Sequence, residues 1–172
     1  MIDKTFLLSA SLSNKSSEIM NLFFNYNRIL DAGMDYLDID MGMRNISEFV
    51  HKKLAHVAPI DADAFRDFNA HNRIRTNYNV AIEASAGSYD SPLEFFLYAF
   101  SYSIKILKAI EEAMTLSEKE NNKEACDFFR SQIDTITKYK YQFALLHDRC
   151  ETAIDQGNTW IDLDAMWQDF VM

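Results

Sequence analysis

Four glycines and two prolines in 172 residues leave this chain almost no material for tight turns. A sandwich or barrel needs a turn signal roughly every 8–12 residues, so an all-β fold is excluded, and the scarcity predicts long helices joined by few loops. The length fits a single domain, residues 1–172, able to bury about 70% of its unfolded surface without a disulfide or metal staple. Apolar residues make up 48% of the chain and charged residues 25%, a composition too hydrophobic for disorder.

The same glycines remove several chemistries. They stand at Gly33, Gly42, Gly87 and Gly157. A dinucleotide-binding G-x-G-x-x-G, a P-loop, a kinase glycine-rich loop and a G-x-S-x-G elbow all need closer spacing. Cys126 and Cys150 form no C-x-x-C pair, so structural zinc and thioredoxin-type redox chemistry have no motif. Both fit as small apolar members of helices, and a disulfide framework is not expected. No apolar run approaches the roughly 20 residues of a membrane span. The segment from Thr5 to Leu12 is too short and too rich in serine for a signal peptide. The triplets beginning at Asn14 and Asn45 match the glycosylation pattern but lack an export signal to give them meaning. A cytoplasmic protein is the expectation.

Periodicity then orders the chain. Ile19, Leu22, Phe23, Tyr26, Ile29 and Leu30 recur at helical spacing, with Gly33 where a C-terminal cap belongs. Met34 to Met41 alternates and reads as an extended connector. Asn45 and Glu48 suggest a capping box for a helix carrying Ile46, Phe49, Val50, Leu54 and Val57, which Pro59 ends. A helix starting at Asp61 or Asp63 reaches toward Gly87 through a polar middle, His71 to Asn79. Ser91-Pro92-Leu93-Glu94 is the strongest local start signal: cap, first-turn proline and returning glutamate. Leu93, Leu97, Phe100, Ile104, Leu107 and Met114 follow at four-three spacing, interrupted by Glu111 and widened by Phe95, Phe96, Tyr98, Tyr102 and Ile106. A second helix from Lys123 carries Phe129, Ile133, Ile136, Phe143, Leu146, Cys150 and Ala153. The expected fold is all-α, a helical bundle of five or six helices around a long antiparallel hairpin (92–116 and 123–155). Residues 158–172 add a C-terminal appendage helix with Trp160, Leu163, Trp167 and Phe170 on one face.

The hairpin over about 91–150 resembles the second helix pair of ferritin-like and rubrerythrin-type proteins. The resemblance rests on its length, its polar turn, and the run from Phe128-Phe129-Arg130-Ser131-Gln132-Ile133 toward Leu145-Leu146. It implies a Glu on the first helix and an E-x-x-H on the second, holding iron or manganese. Here the Glu position falls near Phe100 and the other two near Ile136 and Tyr139, none of which binds a hard metal. The resemblance therefore implies a relative without those ligands. No cofactor and no metal site are expected.

Other ligand pairs are incomplete. Asp67 with His71, and His147 with Cys150 or Glu151, share helix faces, but two ligands make half a zinc site. Asp38/Asp40 and Asp162/Asp164 lack the glycine and glutamate of a calcium loop. His147 is spaced to activate Cys150 as a nucleophile, on a face expected to be buried. The Lys138-Tyr139-Lys140-Tyr141 run is no nucleic-acid platform, because neighbouring residues on a helix diverge.

Net charge is -9. Residues 31–43 and 151–172 hold acids and no Lys or Arg, which disfavours nucleic acid and anionic membranes as partners and permits a basic protein. Two candidate surfaces follow. His71, Arg73, Arg75 and Tyr78 form a hydrogen-bonding patch for an anionic ligand. Trp160, Asp162, Asp164, Trp167 and Asp169 form an acidic, aromatic face for another protein. The sequence favours a non-enzymatic binding protein of the adaptor, chaperone or toxin-neutralising type, with homo-oligomers permitted. The alternatives are a ferritin-like metal binder or enzyme, drawing on residues such as Asp67, His71, Glu83, Glu94 and His147, and a bundle that binds a small anionic ligand.

Overall fold

The structure is a computed structural model, which describes residues 8–55, 58–72 and 89–167; the side chains of 54–61 are not described. Among these residues there are six α-helices and no strand: α1 (Ala10–Asp35), α2 (Arg44–Val50), α3 (Ala58–His71), α4 (Pro92–Lys119), α5 (Lys123–Asp155) and α6 (Trp160–Ala165).

Helix α1 starts at the Ser9 side chain, which accepts a hydrogen bond from the Leu12 amide at 3.2 Å. It runs through Gly33, against the expectation of a cap there. The stretch expected to be an extended connector is helical as well: α1 passes into a π-helical turn, Tyr36–Asp40, that ends at Gly42 with φ 66°. The alternation misleads because Leu37 is buried by its helical phase while Ile39 is 75% exposed. A second π-helical turn, His51–Ala55, lies between α2 and α3, and α3 begins at Ala58, so Pro59 opens that helix instead of ending one.

The hairpin has the expected form, with its first helix longer by one turn at Lys119. Asn121 adopts φ 55° in the link, and the Asn122 side chain caps α5 by accepting from the Ala125 amide at 3.1 Å. At the start of α4 the Glu94 carboxylate accepts from the Asp90 amide at 2.8 Å, while the Ser91 side chain makes no cap bond. The buried face of α4 is centred on Phe95, Ala99, Tyr102, Ile106, Ala109 and Ala113, not on the four-three stripe, of which Leu97 is half exposed.

Side-chain pairings fix the directions. Ser16 bonds Asn69, Phe23 meets Phe65, and the Ser47 hydroxyl donates to the Met34 carbonyl, so α1 runs antiparallel to α2 and α3. Lys15 pairs with Glu112, and Phe95 covers Gly33, so α1 is also antiparallel to α4. Phe65 and Phe68 pack on Phe128 and Phe129, with His71 beside Glu124, which sets α3 against α5. Helices α3 and α4 therefore run the same way, so that the end of α3 and the start of α4 lie at opposite ends of the bundle. In the order α1, α3, α4, α5 the directions are up, down, down, up.

Candidate functional site

Three helices send a tyrosine to the middle of the bundle. Tyr26 comes from α1, Tyr102 from α4 and Tyr139 from halfway along α5. The Tyr26 ring stacks on Tyr102 with centroids 5.9 Å apart and tilts against Tyr139 at 5.8 Å. Phe23, Phe65, Ile106 and Ile136 are likewise fully buried, and Lys105 lies 5.4 Å from the Tyr102 ring. Tyr26 has no accessible surface, and its hydroxyl has no hydrogen-bond partner among the described residues. Burial alone pushes its ionisation well above the ordinary phenol range, because a phenolate here would lose its hydration.

This lining does not fit a di-metal centre. Hard cations need carboxylate or imidazole donors, and no group of three His, Cys, Asp or Glu is arranged to hold a metal among the described residues. Ile136 and Tyr139 do lie in the interior. The glutamate position expected near Phe100 is displaced: Phe100 is only half-buried, and the residues that α4 buries at this level are Tyr102, Ser103 and Ile106.

The other sequence candidates disperse over the molecule. His71 is exposed, its Nε2 3.5 Å from Glu124 near the start of α5, and Asp67 is exposed on the same helix. His147 sits on α5 roughly 35 Å farther along at 1.5 Å per residue, close to Asp148 (3.3 Å) and Glu151 (3.9 Å). Glu94 belongs to the start of α4. Residues as far apart as His71 and His147 cannot share one metal. Arg73, Arg75, Tyr78 and Glu83 lie outside the described residues, as does Asp169.

Cys150 is buried, and loss of hydration pushes its thiol up to about 12. His147 faces the two carboxylates above, so no activated thiolate forms between this pair. Cys126 is buried beside Arg130 and Glu118 at the α4–α5 link, where an open depression of about 400 Å³ is lined by Asn121, Asn122 and Lys123.

The C-terminal face is used internally. Asp164 is 8% exposed, and its carboxylate accepts from the backbone amides of Asn45 (3.3 Å) and Ile46 (2.8 Å), while the Asn45 side chain donates to the Asp164 carbonyl. The α2 cap thus comes from α6, not from an Asn45–Glu48 box. Trp167 is buried with its ring 5.2 Å from Phe49, and Asp162 closes a capping box with Thr159. Hydrogen bonding to the Thr159 backbone amide, and then to its hydroxyl, holds the exposed Asp162 carboxyl below its ordinary range. Trp160 is half-buried and Ile161 is 61% exposed. Of the acidic stretch at 31–43, Asp31 is shifted up by partial burial and then by Asp35, with His51 opposing. Tyr139 is buried while Tyr141 is 62% exposed, the divergence expected of the Lys138–Tyr141 run. No described helix is long and apolar enough to cross a membrane.

Sequence reasoning misses the role of Tyr26, which it places only as one member of an apolar stripe, and the cap by Asp164. No local signal carries either, because both depend on which helices become neighbours.

No family pattern matches the sequence, and no curated protein resembles it. Solved structures do. Two structures of an open-pore ferritin from the archaeon Archaeoglobus fulgidus superpose with TM-scores of 0.79 and 0.81 at 15% identity; they cover 92% and 95% of this chain and 94% and 97% of theirs. A form of that protein engineered to be closed gives 0.80. A humanized archaeal ferritin gives 0.76 at 14% identity over 84% of this chain. The chain has the fold of these ferritins.

Proposed function

We propose that this protein is a ferritin-like bundle that works by binding and not by metal oxidation at its own centre. The fold likeness favours a ferritin-type role over a free-standing adaptor, and the lining of the midpoint supports a role without a metal centre there. One observation carries the reading: di-metal proteins of this architecture project carboxylates and histidines into the bundle core, whereas to the middle of this core the described helices contribute Tyr26, Tyr102, Tyr139, Phe23 and Ile136. Buried phenols and alkyl groups fill that volume without an ion, so the fold needs no metal to close. Binding then falls to the outer surfaces, with another protein, basic or a copy of itself, as the partner class that the acidic charge permits.

The test is ferrous iron added in air to the full-length protein, with oxidation followed at about 310 nm and bound metal counted by mass spectrometry. The expected result is oxidation no faster than in buffer and less than one iron per chain. Accelerated oxidation with two irons per chain would overturn the proposal. It would favour the second reading, a ferritin-like metal enzyme, which the fold likeness supports and which would need ligands beyond the described residues.

A further inference from the structure

A cavity of about 450 Å³ opens between α2 and α6, within the size range of small-molecule sites. The fold holds its walls in place. The Asp164 carboxylate, taken up by the Asn45 and Ile46 amides, ties α6 to the start of α2, and the Phe49 ring stands edge-on to Trp167 at 5.2 Å. The cavity therefore has an aromatic floor, to which the half-exposed Met166 adds a thioether from α6. Two charged side chains complete the lining, Glu48 and Lys52. Four residues apart on a regular α-helix they would pair across one turn. Here α2 passes into a π-helical turn at His51, a backbone feature that recurs at functional sites, and Glu48 lies 3.7 Å from Arg44 instead. Lys52 is exposed and makes no ion pair with any described residue. The acids at this cavity are thus engaged, Asp164 by amides and Glu48 by Arg44, and the cation that faces it is not.

We infer that this cavity binds a small aromatic carboxylate, with its ring on Phe49, Met166 and Trp167 and its carboxylate on the Lys52 ammonium. Aromatic and thioether groups attract a ring beyond the gain from burying it, and an ammonium facing a carboxylate makes a charge-assisted hydrogen bond. A cationic ligand would meet Lys52 and find Glu48 already paired. An anion without a ring would leave the aromatic floor uncovered. The occupant is a small molecule, so the inference goes beyond the protein partner proposed above, and its readout depends on neither that partner nor metal content.

The probe is 2-naphthoate, titrated into the full-length protein by calorimetry while the two indole N–H signals are followed by NMR, with Trp160→Phe assigning that of Trp167. The expected Kd is about 1 mM or tighter for a ligand of this size, and the Trp167 signal moves on binding. The neutral 2-naphthamide, of the same shape, binds about fivefold more weakly, and the cationic 2-naphthylmethylamine more weakly again. Lys52→Met keeps the alkyl stem and abolishes the preference for the acid over the amide. Lys53→Met alters the neighbouring exposed lysine, which is not in the lining, and keeps that preference. Both changes fall on exposed side chains, so the fold is retained in each. Naphthoate binding weaker than about 5 mM or a Trp167 signal that stays still overturns the inference. So does an amide or amine that binds as tightly as the acid, or a preference that survives Lys52→Met or is lost equally in Lys53→Met.

Discussion

Gly33 lies at one end of the α1–α4 contact, against the first turn of α4, and replacing it with alanine sets two calculable effects against each other. As a helix position near the end of α1, Gly33→Ala gains about 1 kcal/mol of helix propensity. As a contact position it collides with Phe95. A Cβ on residue 33 would have the ring Cδ1 at 2.6 Å, with Cε1 and Cζ closer still, where two carbons need about 3.5–4.0 Å. Something must give by about 1 Å or more. The ring has nowhere to go: Phe95 is fully buried, with Tyr89 at 5.3 Å, Phe96 at 5.7 Å and Phe143 at 6.0 Å between centroids. The helices must part instead, and a displacement this large lies at the upper end of overpacking costs, about 2–3 kcal/mol. The expected net effect of Gly33→Ala is a loss of about 1–2 kcal/mol, or a fall in Tm of roughly 2–8 °C for a chain of this size. Urea unfolding followed by far-ultraviolet circular dichroism measures it, with an unchanged m-value showing that the native state stays compact. Phe95→Leu removes the ring atoms that collide, so alanine should cost less in that background and the two changes should couple by about 1 kcal/mol or more. A Gly33→Ala protein as stable as the parent, or more so, would refute the close approach of α1 and α4.

Two further outcomes follow from single groups. Asp164→Ala leaves the Asn45 and Ile46 amides without their acceptor and frees α6 from α2; a loss of about 2 kcal/mol and a weakened near-ultraviolet signal from Trp167 are expected, and an unchanged Tm would show that solvent caps α2 equally well. Cys150 keeps its proton in the folded chain up to about pH 12, whereas an unfolded thiol ionises near its ordinary value of 9.0. The unfolded state therefore releases the proton first, and stability falls as pH rises from about 9 toward 12. Cys150→Ala should flatten that decline, and in the parent protein Cys150 should resist alkylation at about pH 8 until the chain unfolds; rapid native-state labelling of Cys150 would contradict its burial.

The hairpin is legible because its signals are local. Pro92 in the first turn, the polar link at 117–122 and unbroken helical spacing from Lys123 to Gly157 each act within a turn or two. What cannot be read depends on neighbours distant in sequence. Gly33 has the same local appearance as a helix stop, and only the position of Phe95, far along the chain, shows that its missing side chain makes room for a ring. The α4 stripe reads as the interior because large residues outnumber small ones along it. The structure buries Ala99, Ala109 and Ala113 instead, since small side chains let neighbouring helices come close. Asp164, a member of the outward acidic face in the sequence, is drawn in by the unsatisfied amides at the start of α2. The candidate site shows the same division: that Ile136 and Tyr139 occupy the interior follows from spacing on one helix, while their meeting with Tyr26 requires the whole bundle.

The tyrosine midpoint also bears on how such a bundle can remain folded. Buried carboxylates are costly unless an ion or a proton neutralises them, so a centre built from them ties stability to metal supply. Rings and alkyl groups remove that dependence: each buried aromatic side chain contributes a favourable transfer term of about 1.5–3 kcal/mol, and ring pairs such as Tyr26–Tyr102 add about 0.5–1.5 kcal/mol. The Tyr26 hydroxyl, without a hydrogen-bond partner among the described residues, costs about 1–3 kcal/mol in return, comparable to but not larger than the burial of its ring and the two ring contacts together. A centre of this kind is stable without an ion and offers little to one. On the proposed binding function the outer surface carries the contacts, while α4 turns Tyr102 and its alanines toward this interior.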